Sequence, residues 1–171
     1  MKPMMEPLVD TICEDPRWRG VGLDALAQTA ATATLAALGM AVQGYSLCLM
    51  GCDDARIQVL NAAFRAKGQP TNVLSWPAED RAAEHPGTLP DLPDPGPAED
   101  AEELGDIAIS YDTCAAEAAA QGKTMDAHVT HLLVHGILHL LGFDHIDDAD
   151  ADLMETTEVR ILATLGIANP Y

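Results

Sequence analysis

Basic residues are scarce in this chain. Nine Lys and Arg stand against 27 Asp and Glu, giving a formal net charge of −18 and a sequence pI near 4.3. Broad, non-specific grip on nucleic acid rests on many Lys and Arg neutralising phosphates, so this balance excludes it. Cysteines number four, at positions 13, 48, 52 and 114, with no CxxC pair among them. That points to reduced, mostly buried thiols; Cys48 and Cys52 offer half of a metal site, but no second pair with ligand spacing follows. The first ten residues carry no basic start followed by a long apolar run, and the longest apolar stretch, residues 129–141, is broken by histidines. A secretory leader and a membrane span are therefore not expected, and a cytoplasmic location is.

What remains is a globular composition, 48% hydrophobic over 171 residues, which suits one domain over residues 1–171. The elements read as a mixture without strict alternation. Strands are expected at residues 7–13, 45–50, 71–76 and 104–109. Helices are expected at residues 21–38, 55–67 (ended at Gly68), 110–121, 125–141 and from about 147 to Gly166. Glycines close several of these helices, and Asp53 or Asp54 and Ser110 offer N-caps. The pattern predicts an α+β fold with one small mixed sheet packed with helices. Residues 77–103 break the pattern. Six of the chain's prolines fall there, and residues 79–103 hold nine acids and one base. Such a segment reads as an acidic, Pro-rich, solvated insertion loop.

Five of the six histidines fall between positions 128 and 145. On a helix, His135 and His139 lie about 40° apart, one turn above the other, with His131 a further turn back. The remaining faces of that helix are apolar, which predicts burial. Buried imidazoles need partners, and a divalent metal satisfies several at once. Gly142 lets the chain turn back, so that His145 can supply a third ligand beside His135 and His139 and leave a fourth position for water. Three imidazoles suit Zn2+, and nickel, copper or iron as well. His128 and His131 are expected to shape the pocket or hydrogen-bond a neighbour. The spacing matches the metzincin protease frame, but position 136 is glycine where that frame needs its glutamate base, which places a metallopeptidase second.

The run HGILHLLGFDH at 135–145 closely resembles the signature of the YbeY family of bacterial single-strand endoribonucleases. The segments LNAAFR at 60–65, PTNVLSWP at 70–77 and LGDIAIS at 104–110 resemble the family's arginine-ended helix, its TNVLSFP-type strand and its GDI strand, in the same order. The resemblance covers roughly residues 45–166. It implies a zincin-like α+β fold, a site metal on His135, His139 and His145, and single-stranded RNA, not DNA, as substrate. It further implies a part in 3′-end maturation of small-subunit ribosomal RNA and in ribosome quality control. By the same resemblance Arg65 is the catalytic arginine of the cleft; taken alone it reads as a helix-end arginine. Phe143 and Trp76 replace the family's usual tyrosine and phenylalanine. Asp144, Asp106 and Ser75 are polar groups nearby, and none is singled out as general base. Trp76 could stack a base, though core packing suits a strand end better. The acidic surface fits small-subunit ribosomal proteins as partners, so an assembly factor with a mainly structural metal is a third reading.

Overall fold

A computed structural model describes residues 7–65 and 70–171, and the side chains of Phe64 and Arg65 fall outside that description. The elements run β1 (Val9–Cys13), α1 (Arg17–Val21), α2 (Leu23–Ala37), β2 (Tyr45–Cys52), α3 (Asp54–Arg65), β3 (Val73–Pro77), β4 (Glu102–Ser110), α4 (Tyr111–Gln121), α5 (Met125–Leu140) and α6 (Asp148–Thr164). The expected stop of α3 at Gly68 lies outside the described residues. The fold is α+β, with one four-stranded mixed sheet in the order β1-β2-β4-β3. β1, β2 and β4 are parallel, and β3 pairs antiparallel with β4 at the edge. Among the described residues, no helix is long and apolar enough to cross a membrane.

Alternation along β4 sets the two faces of the sheet. Ile107 and Ile109 point into the large cluster shared with Leu47, Leu49 and the apolar side chains of α2 and α5. Ala108 points the other way, into a smaller cluster with Cys52, Ile57 and Leu74, where α3 covers the sheet. α5 is buried on almost every face, as its apolar composition requires. Its start is capped by Thr124, whose side chain accepts from the Ala127 amide at 3.1 Å. Asp147 does the same for α6, accepting from Ala149 at 2.9 Å.

Two expectations shift for local reasons. The helix expected at 21–38 starts only at Leu23, because Gly22 adopts the left-handed conformation (φ 76°) and separates α2 from a preceding short helix, α1. α1 itself is short and held by Trp18, fully buried, whose indole donates to the Cys52 carbonyl at 3.0 Å. Ser110 stands at the N-cap position of α4 but its hydroxyl donates instead to Asp54 Oδ1 at 2.6 Å, tying α4 to α3. Asp53, in turn, accepts from the Arg56 amide at 2.9 Å and so begins α3.

The segment between β3 and β4 has neither helix nor strand from 78 to 101, yet it is not wholly solvated. Arg81 is buried, and its guanidinium donates to the carbonyls of Leu140 (3.2 Å) and Glu103 (3.2 Å) and pairs with Glu102 (3.3 Å). The only base of an acidic loop thus fastens it to the end of α5, where orphan carbonyls attract a cation. Further on, Tyr45 donates to the Pro93 carbonyl at 2.7 Å and the Gly96 amide to Gly44 at 2.9 Å.

Candidate metal centre

α5 brings His135 and His139 to one stripe, and the turn after it returns the chain. Gly142 makes this turn with φ 104°. A Cβ there would stand 2.3 Å from the Arg81 carbonyl oxygen, so the position admits no side chain on either count. Gly142→Ala is expected to cost about 1–3 kcal/mol in backbone strain alone, with the clash added. A urea midpoint unchanged by this substitution would contradict the assignment.

The turn places His145 against the helix. Its ring centroid lies 5.5 Å from that of His135 and 5.0 Å from that of His139. One ring nitrogen from each of the three histidines lies within 4.8 Å of the others. The Nε2 atoms of His135 and His139 are 3.0 Å apart. Two nitrogens each about 2.0–2.1 Å from one tetrahedral ion would be separated by roughly 3.3 Å, so the spacing is close to that of a shared ion.

The opposite ring nitrogens decide the chemistry. His139 Nδ1 faces the Phe143 carbonyl oxygen at 3.0 Å, which can only accept, so Nδ1 carries the proton. His135 Nδ1 meets Glu158 Oε1 in a short hydrogen bond, and it too is the protonated nitrogen. Both Nε2 atoms are then lone pairs pointing at each other, an arrangement that repels unless a cation or a single proton sits between them. Burial, reinforced by the neighbouring His135 and His145, brings the His139 pKa down from 6.5 to about 4. Near neutral pH its imidazole is therefore the neutral, ligating form. The donor set fits a divalent transition metal: three imidazoles, two with their second nitrogen held by an acceptor.

Glu158 is the residue that inspection of the sequence does not pick out. It is fully buried on α6. Its carboxylate accepts from His135, from His131 Nε2 at 3.2 Å, and from the Tyr171 hydroxyl in a second short bond. Burial pushes its pKa up, but the hydrogen bonds from His131, His135 and Tyr171 outweigh burial and bring it to about 2. It is thus a buried anion beside the three histidines, orienting one and balancing charge placed there. A signal was present in the sequence. Met154, Thr157, Ile161 and Leu162 form the buried stripe of α6, and Glu158 lies on that stripe. Glu158→Gln is expected to weaken metal affinity about 10- to 100-fold. Competition against a metallochromic indicator measures this, and an unchanged affinity would remove Glu158 from the site.

The other residues divide by the face they occupy. His128 pairs with Glu117 at 2.9 Å, and Glu117 also accepts from Asn72 at 3.1 Å, so both are engaged with the base of α4. Ser75 shares the α5 face of the sheet with its register partner Ile107 and lines the cleft beside the histidines. Trp76 and Asp106 pair on the opposite face, where Trp76 is partly buried against the smaller cluster. Asp144 Oδ1 accepts from the His145 amide at 2.7 Å, shaping the loop that carries the third histidine. The cleft measures about 830 Å³ and extends from the histidines past Ser75 and Asn72 to Asn61 on α3. Arg65 follows Asn61 by one turn at the end of α3.

Gly136 faces the sheet. A Cβ there would stand 3.1 Å from both Ile107 Cδ1 and Ser75 Oγ, so α5 lies too close to the sheet for a larger side chain without displacement. The peptidase glutamate is absent, and its place is filled by strand.

A family model for endoribonuclease YbeY matches residues 18–166. A protein of Cereibacter sphaeroides named endoribonuclease YbeY is 64% identical over 167 residues, covering 98% of this chain and 100% of that one. Proteins of the same name from Ruegeria pomeroyi and Dinoroseobacter shibae are 58% and 56% identical over 163 residues. They cover 95% of this chain and 97% and 90% of theirs. Among solved structures, the solution structure of TM1509 from Thermotoga maritima matches with a TM-score of 0.54 and 17% identity, over 92% of this chain and 91% of that one. That likeness bears on the fold alone.

Proposed function

The chain belongs to the YbeY endoribonuclease family, and from that premise we propose that it is a zinc-dependent, single-strand-specific endoribonuclease. The reading places it in the cytoplasm, in 3′-end maturation of small-subunit ribosomal RNA and in ribosome quality control. It assigns one metal to His135, His139 and His145 in a zincin-like arrangement, and treats residues 1–171 as a single domain with an insertion at about 77–103. The observation that carries it is the pair of Nε2 lone pairs of His135 and His139, held 3.0 Å apart by acceptors behind each ring.

When bound, zinc supplies a water of near-neutral pKa and polarises a phosphoryl oxygen. The chain's own residues do the rest. His135 and His139 keep their Nε2 lone pairs free because Glu158 and the Phe143 carbonyl hold the protons on Nδ1. Asn61 lines the cleft from α3, and Arg65 ends that helix one turn later. Arg65 is assigned to hold the scissile phosphate through two parallel hydrogen bonds and to offset charge that develops on it in the transition state.

The discriminating experiment offers the purified protein a single-stranded RNA, the same RNA as a duplex, and an unstructured peptide. Internal cutting of the single strand alone is expected. Peptide cutting would return the metallopeptidase reading, which Gly136 otherwise opposes. The net charge of −18 supports small-subunit ribosomal proteins as partners and hence the assembly-factor reading beside the nuclease. Full rescue of a strain lacking the gene by an inactive Arg65 variant would make assembly the essential role.

A further inference from the structure

The described part of the cleft offers RNA almost no positive charge. Glu79, Asp80 and Asp144 line it, and the one Lys or Arg among its described lining residues, Arg81, is turned inward onto carbonyls and Glu102. Beyond the phosphate contact assigned to Arg65, a single strand can be held through its bases. Two side chains are placed to do so. Of the large apolar residues that remain exposed, Ile146 (87%) and Tyr171 (60%) line this same cleft. Ile146 follows directly on His145. Tyr171 stands at the other end of the histidine stripe, edge-on to His131 with ring centroids 5.7 Å apart.

The Tyr171 ring is held as a platform. After α6 the chain reverses at Gly166, with the Ile167 amide donating to the Leu162 carbonyl at 3.0 Å. The reversed segment runs back along α6, and the Tyr171 hydroxyl donates to Glu158. An aromatic ring anchored at its polar tip and exposed over its body is suited to stack a planar group with little loss of rotamer freedom.

We propose that Tyr171, with Ile146, grips an unpaired base next to the scissile phosphate, so that base contacts add to the phosphate contact assigned to Arg65 in holding the RNA. The proposal rests on the endoribonuclease reading and deepens it. A base within a duplex has no free face to offer, which makes the contact selective for single strands.

The test measures binding of a fluorescent 2′-O-methyl oligonucleotide, which resists hydrolysis, and steady-state cleavage of the matching RNA. Wild type is compared with Tyr171→Ala, Tyr171→Phe and Ile146→Ala, all with metal content determined. Tyr171→Ala is expected to weaken binding and raise KM about tenfold, with kcat and metal content no lower than in Tyr171→Phe, which loses the same hydroxyl bond to Glu158. Tyr171→Phe keeps the ring and is expected to stay within about twofold in binding and KM; Ile146→Ala is expected to lose about threefold in binding. Binding by Tyr171→Ala equal to wild type overturns the inference. Equal loss in the alanine and phenylalanine variants, confined to kcat or metal content, also overturns it, because the hydroxyl and Glu158 would then be the whole effect. Wild-type protein that neither binds nor cuts RNA overturns the endoribonuclease reading itself, and this inference with it.

Discussion

Replacing His139 by alanine is expected to strip the metal and to lower RNA cleavage by about three orders of magnitude or more, since unaided water has a pKa of about 15.7 and zinc-bound water about 7. His139 is the middle member of the cluster. Its Nε2 is 3.0 Å from that of His135, and its ring stacks edge-on to both other histidines. The next imidazole along the stripe, His131, has its Nε2 committed to Glu158. The fold should survive. His139 is only partly buried, and the Leu138 and Leu140 side chains on either side, both fully buried, carry the packing of that turn. Elemental analysis and circular dichroism on the same preparation separate the two effects. A variant that keeps one metal per chain would show that His139 is not a ligand.

The second large effect is expected at Arg65. Arg65→Glu should abolish cleavage, through loss of a phosphate donor worth about 10²–10³-fold and through repulsion of the substrate's charge. Metal content should be unaffected, because the three histidines lie on α5 and the following turn while Arg65 ends α3. Arg65→Lys should recover part of the activity, since an ammonium keeps the charge but not the planar fork. Loss of metal, or unfolding, in the glutamate variant would instead return Arg65 to the role of a helix-end arginine.

The two residues also mark what a sequence exposes and what it hides. His135, His139 and His145 are legible because their geometry is local: one helical turn, a glycine and a short return. The helix capped at Thr124 and the strands of β2 and β4 are legible for the same reason, since their period is written in consecutive residues. Glu158 is remote from the histidines by 23 positions or fewer in sequence but reaches them only because α6 packs on α5. Its place on an apolar stripe announces a buried charge without naming the partner. Tyr171 depends on a chain reversal after α6, and Arg81 on the docking of an otherwise irregular acidic loop. α1 is a single buried turn anchored by Trp18, too short for periodicity to register. The strand order β1-β2-β4-β3, with its antiparallel edge, follows from long-range pairing and was not to be had from local pattern.

The central claim is that His135, His139 and His145 hold a metal that RNA cleavage requires. It is tested most directly by assaying one preparation on single-stranded RNA before chelation, after exhaustive chelation and after zinc is restored, with metal per chain measured at each stage. The account predicts about one metal per chain, cleavage that disappears with it, and recovery when zinc returns to the same stoichiometry. Cleavage that continues at full rate in the stripped protein would contradict it.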